Sequence, residues 1–201
     1  MAADKAPIEL NIPSKYDSTP ASSIAPPPNA PPLDWLATTW SVTHSTLAMW
    51  RDARNVRITY KSLPGDTSGR PRLDDLVEYE PTSKDSVRKT VEGVDTQASA
   101  LGWDWRGKGW LFFVTSHWEV LGWGEAVTPG GVKERWAVTW FAPTVFTKEG
   151  LDVYCDRKEG LSEGTYEAIR EAIRGMEAKK VVEMCEAHMQ PVEIRLPWVE
   201  E

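Results

Sequence analysis

The sequence predicts an all-β fold: an eight-stranded antiparallel up-and-down barrel with a C-terminal flanking helix. Three observations carry that expectation. From Leu33 onward, short segments with period-two alternation recur between clusters of Gly, Pro, Asp and Ser. No helical periodicity interrupts them before Gly160, so consecutive strands pair most simply as antiparallel neighbours. An open sheet of this kind leaves two edges, and full closure removes both.

Taken in order, residues 1–32 form an irregular arm ahead of a barrel domain at 33–201. The stretch STPASSIAPPPNAPP fixes φ, lacks donors and offers little to bury. It is either disordered or laid over the domain to close one end. Strands follow at 38–47, 55–62, 74–80, 86–96, 101–106, 110–122, 133–142 and 150–156. After Gly160, Ser162 is an N-cap and Tyr166, Ile169, Ile173 and Met176 recur at helical spacing, with Gly175 kinking or splitting the helix. A second helical stretch, EAKKVVEMCEAHM, ends at Pro191, and PVEIRLPW adds a last short strand.

Composition narrows the partners. With 23 Lys and Arg against 30 Asp and Glu the net charge is −7, and no basic run follows a phosphate backbone, so nucleic acid is excluded as an expected partner. Cys155 and Cys185 stand thirty residues apart without a neighbouring Cys or His pair, which signals neither a zinc site nor a disulfide framework. No apolar run has the length of a membrane span, and the first residues lack a signal-peptide core, so a soluble cytoplasmic protein is expected.

Five of the eleven tryptophans lie between Trp103 and Trp123. Strand alternation gives them mixed directions. It groups Trp40, Val42 and His44 on one face of the first strand, Val56, Ile58 and Tyr60 on the second, and Val77 with Tyr79 on the third. Trp103 pairs with Trp105, Ser116 with Trp118, and Trp136 with Val138 and Trp140. Taken as inward, these faces make an apolar, aromatic interior with few hydroxyls. A barrel of this size holds one small ligand or fills itself with side chains.

The stretch LDWLATTWSV, a short apolar turn leading into Trp40 at the head of the first strand, resembles the lipocalin or calycin superfamily over about residues 33–189. Thr38 stands where the family's Gly-x-Trp pattern would end its glycine step. The resemblance implies a one-mouthed barrel, a helix on its flank and a hydrophobic ligand inside. In texture, THSTLAMW and SHWEVLGWGE are similar to fungal intracellular lipocalin-like proteins of secondary metabolism, some of which act as cyclases.

The candidate catalytic donors are His44, Tyr60 and Tyr79, which as neutral groups would polarise a carbonyl or enol oxygen. The bland reading makes His44 a satisfied core histidine and leaves the tyrosine hydroxyls at the rim. Trp40, Ile58, Trp105, Trp118 and Trp140 are the candidate ligand wall. His117, with parity opposite to Trp118, is a surface residue, and Arg51, Arg54 and Arg57 belong to a solvated face or a carboxylate clamp at the mouth. No phosphate loop, nucleophile pair or metal spacing occurs, so no cofactor and no metal are expected. Two functions remain open: a cofactor-independent cyclase or isomerase that shapes a hydrophobic natural-product intermediate, and a carrier with the same barrel and no chemistry. A barrel filled solid, serving only as a scaffold, is the third.

Overall fold

A computed structural model describes residues 7–17 and 29–199. Strands β1 (Thr39–Ser45), β2 (Ala53–Leu63), β3 (Arg72–Pro81), β4 (Lys89–Gln97), β5 (Gly102–Gly107), β6 (Thr115–Val127), β7 (Lys133–Phe141) and β8 (Gly150–Cys155) pair in chain order, each antiparallel to the next. β1 closes the ring. It pairs with β2 through Thr39–Ser41 and with β8 through Ser41–Ser45, so no edge is left.

Between β5 and β6 the chain makes a short 3-10 turn at Gly109–Leu111, so the sixth strand begins at Thr115 rather than near residue 110. The one-turn helix α1 (Leu33–Leu36) lies across one end of the ring. There the Trp40 indole N–H donates to the Leu36 carbonyl at 2.9 Å, and Trp35 packs 4.9 Å from Trp40 and 4.8 Å from Trp123. The Arg135 guanidinium sits 5.4 Å from the Trp40 ring and is held by Asp156 at 2.7 Å. This end is plugged.

Helices α2 (Glu163–Arg174) and α3 (Lys179–His188) are separated at Gly175, and their apolar stripes cover the outside of β7 and β8. Ile169, Ile173 and Val181 pack there on Val138, Trp140 and Val153. Residues 7–17 join the same layer. Asn11 N–H donates to the Leu121 carbonyl at 2.7 Å, and Leu10 occupies the space a side chain at Gly122 would need, since a Cβ there would lie 2.3 Å from Leu10 Cδ2. That part of the expected arm is irregular and lies on the barrel, while residues 1–6 and 18–28 fall outside the described residues.

The last segment completes the seam where β1 and β2 diverge. β9 (Gln190–Pro191) pairs with His44 and Ser45, and Val192 N–H donates to the Thr43 carbonyl at 2.9 Å. Asn55 then takes a left-handed φ of 53°, a conformation Asn tolerates better than most residues. Its N–H donates to Glu193, and its side chain both accepts from Arg195 N–H and donates to Glu80. A register shift between Arg54 and Arg57 accompanies this. Arg54 and Arg57 are therefore buried under the C-terminal segment and not solvated, paired with Glu80 at 3.1 Å and Glu78 at 3.2 Å.

Candidate functional site

Above the Trp40 plug the lumen stays hollow. Its cavity of about 410 Å³ opens at the opposite end, where Met49, Trp110 and Phe146 form an apolar, exposed rim. Five of the expected site residues line it together: Ile58 and Tyr60 from β2, Tyr79 from β3, Trp105 from β5 and Trp118 from β6. Tyr60, Trp118 and Trp103 stack in sequence, with centroids 5.5 and 5.9 Å apart. Trp105 lies flat across Gly93, where a Cβ would approach its indole nitrogen to 2.1 Å. Only glycine leaves room for that ring. Tyr79 stands nearer the mouth, edge-on to Trp50 at 5.4 Å.

Three expected site residues are not in the cavity. Trp40 is fully buried in the plug and does not line the open space. His44 lies outside the barrel, stacked on Tyr166 of α2 with ring centroids 3.5 Å apart. The cause is a register shift between Val42 and His44, which exchanges inward and outward parity within one strand and turns Ser45 inward in its place. Burial lowers the His44 pKa to about 4 and keeps the ring neutral. Trp140 lies on the outer face as well, under residues 7–17, where its N–H donates to Glu149 at 2.8 Å and Tyr16 meets it edge-on. β7 is apolar on both sides, so alternation alone does not say which side is in.

Besides hydroxyls such as Ser116, Thr139 and Tyr154, the polar groups that face inward include carboxyls. Asp75 on β3 and Asp152 on β8 line the cavity, and Asp95 on β4 lies behind Trp118, whose N–H donates to it at 2.7 Å. All three side chains are buried, and each keeps one oxygen without a hydrogen-bond partner among the described residues. Burial raises Asp75 well above the ordinary carboxylate range, and the neighbouring Asp95 raises it further, against a smaller pull from the Trp105 N–H. Burial also raises Asp152, to about 7, opposed by Ser45 and Arg51. Tyr60 and Tyr154 lie within hydrogen-bonding reach of each other, and burial raises both phenols well above their usual values.

Such an interior is able to donate protons at neutral pH without a cofactor. A carboxylic acid kept neutral in a dry site is a strong hydrogen-bond donor, and a nearby phenol relays its effect. Among the described residues no group of three His, Cys, Asp or Glu is arranged to hold a metal. Cys155 and Cys185 are buried thiols raised to about 12 by desolvation, inert at neutral pH.

A larger groove, about 740 Å³, runs over the outside of β4, β5 and β6, and most of its charges already have partners. Lys108 pairs with Asp74, Arg70 with Asp66, and Arg106 donates to the Phe112 carbonyl. Beside it, His117 is raised to about 8, chiefly by its hydrogen bond with Glu119 and then with Asp104. Glu119 also accepts from the Ser14 N–H at 2.9 Å, so this cluster fastens residues 7–17 to the barrel.

No protein-family model and no curated protein sequence matches the chain. None of the described helices is long and apolar enough to cross a membrane.

Proposed function

We propose that this lipocalin-like barrel is a cofactor-independent cyclase or isomerase that takes a small, mostly apolar natural-product intermediate into its lumen. There it would hold the molecule in a reactive shape. The observation that carries this reading is the coexistence, in one cavity, of Trp and Tyr walls with the buried carboxyls of Asp75 and Asp152, which burial shifts toward the protonated form. A solid core needs no such acids. Asp152 and Asp75 would donate or retrieve a proton, Tyr60 and Tyr154 would orient an oxygen, and Trp105 and Trp118 would fix the conformation. Positioning of that kind supplies up to about 7–11 kcal/mol of a barrier.

The test is incubation with candidate lipophilic intermediates, watching by mass spectrometry and chromatography for a product of equal mass and different retention. Asp152→Asn should slow its formation by about 10²–10⁴-fold, the range of general acid catalysis, while the ligand still quenches tryptophan fluorescence. A carrier keeps the same cavity: the variant then changes affinity and no substrate is ever converted.

A further inference from the structure

The inner carboxyls raise a question of charge. Asp75, Asp95 and Asp152 are 7%, 0% and 4% exposed, and each has an oxygen with no partner among the described residues. Leaving a buried polar atom unpaired costs about 1–3 kcal/mol. Among the described residues no Lys, Arg or His lines the cavity. The carboxyls also share neighbours: Asp75 and Asp152 both act electrostatically on Tyr154, and Asp75 and Asp95 both act on Tyr60.

Different ligands would treat these oxygens differently. A hydrocarbon would fill the lumen and leave them unpaired in a drier place than before. A carboxylate or phosphate would bring a further negative charge among three acids, with no cation in the lining to meet it. An alcohol or carbonyl satisfies one oxygen and brings no charge. A protonated nitrogen offers two or three donors and the missing positive charge, and the faces of Trp105, Trp118 and Tyr60 attract a cation as well.

We propose that the molecule held in the barrel carries a basic nitrogen, bound as a cation between Asp75 and Asp152 against the aromatic wall. This deepens the reading of the lumen as a ligand site and rests on it, since it names the chemical class that the site takes. The ammonium enters, a neutral carboxyl becomes carboxylate, and its proton leaves to solvent. One proton is released for each carboxyl that was protonated beforehand. The groups that face Asp152 are Ser45, Trp50, Arg51 and Tyr154. Those around Asp75 are Asp74, Asp95, Trp105 and Lys108. Arg51 donates to the carbonyls of Ser45 and His188 and does not line the cavity.

The experiment is isothermal titration of the full chain with three indoles of one shape: tryptamine, the neutral alcohol tryptophol, and the anion indole propionate. Tryptamine should bind about tenfold tighter than tryptophol or better, equivalent to roughly 1.4 kcal/mol, and the anion should bind weakest. Tryptamine affinity should rise from about pH 6 to 8 as the acids lose their protons, with tryptophol unchanged. Buffers of different ionisation enthalpy should report proton release for the amine alone. Asp75→Asn and Asp152→Asn should each bring the amine-to-alcohol ratio toward one, with the larger loss on tryptamine, and either variant suffices if the other fails to fold.

Equal or tighter binding of tryptophol, or a ratio that survives both substitutions, would overturn the proposal. If no indole binds while the apolar dye ANS saturates an internal site, the cation is wrong and the cavity stands. If ANS finds no internal site either, the ligand-site reading falls with it.

Discussion

Two clusters of buried charge sit on opposite faces of the same sheet, and they follow opposite rules. Outside β2 and β3, Arg54 and Arg57 meet Glu80 and Glu78, Arg88 adds a bond to Glu78 at 2.7 Å, and the C-terminal segment closes over them with Trp198 on Arg57. Burial there would raise the Glu80 pKa, but the Val199 N–H, Asn55 and Arg54 outweigh it and hold the carboxylate below its ordinary value. Inside, Asp75, Asp95 and Asp152 are desolvated too, with Lys108 and Arg51 acting on Asp75 and Asp152 only weakly from outside the cavity, and they move the other way. A charge cluster that completes itself serves the fold. One left incomplete beside a hollow serves whatever enters.

The outer cluster should respond most to disruption. Glu80→Ala takes from Arg54 its buried carboxylate and leaves the Asn55 amide and the Val199 N–H without their acceptor, and a loss of about 3–5 kcal/mol is expected from urea denaturation. The inner cluster should respond with the opposite sign. The folded protein holds a proton on Asp152 near pH 7, where the unfolded chain, titrating near 3.8, has released it. Stability from this group is therefore full below about pH 4 and falls as pH rises toward 7, by on the order of 4 kcal/mol at most. Asp152→Asn should flatten that slope and raise stability at about pH 8 by roughly 1–3 kcal/mol, read from urea midpoints at two pH values. If both substitutions destabilise equally at every pH, the two clusters are not different in kind.

Much of the architecture was legible in the chain. Alternation and turn residues placed the eight strands, and Gly175 marked the break between helices. Tyr60, Tyr79 and Trp105 share parity with neighbours that do face inward, and they line the cavity. Asp75 shares that parity, two residues before Val77, but DDLVEYE carries acids on both faces, so nothing in the charge pattern singles it out. Asp152 was hidden because β8 is buried on both sides. His44 and Trp140 were misplaced for separate reasons, a register shift in one strand and a helix-covered outer face in the other. The bond from Asn55 to Arg195 spans 140 residues, and no local pattern encodes it.

Smaller effects sharpen the comparison further. Trp198→Ala removes a ring 4.6 Å from Arg57 and 4.7 Å from Lys158, and should cost about 1–2 kcal/mol in the same denaturation assay with ligand affinity unchanged. His44→Ala loses its stack on Tyr166 and should cost about 1 kcal/mol, again without effect on any molecule bound in the lumen. A change in lumen affinity from His44→Ala would mean that the helical flank and the cavity are coupled.

The central claim is that the lumen holds neutral carboxylic acids ready for a ligand. Carbon-13 NMR of protein labelled at the aspartate carboxyls, followed across pH, tests it most directly. The resonance that vanishes in Asp152→Asn should titrate at about 7, and the one that vanishes in Asp75→Asn well above the ordinary carboxylate range. If instead both titrate in the ordinary carboxylate range, close to 3.8, the acids are solvated or paired, and the account of the site is wrong.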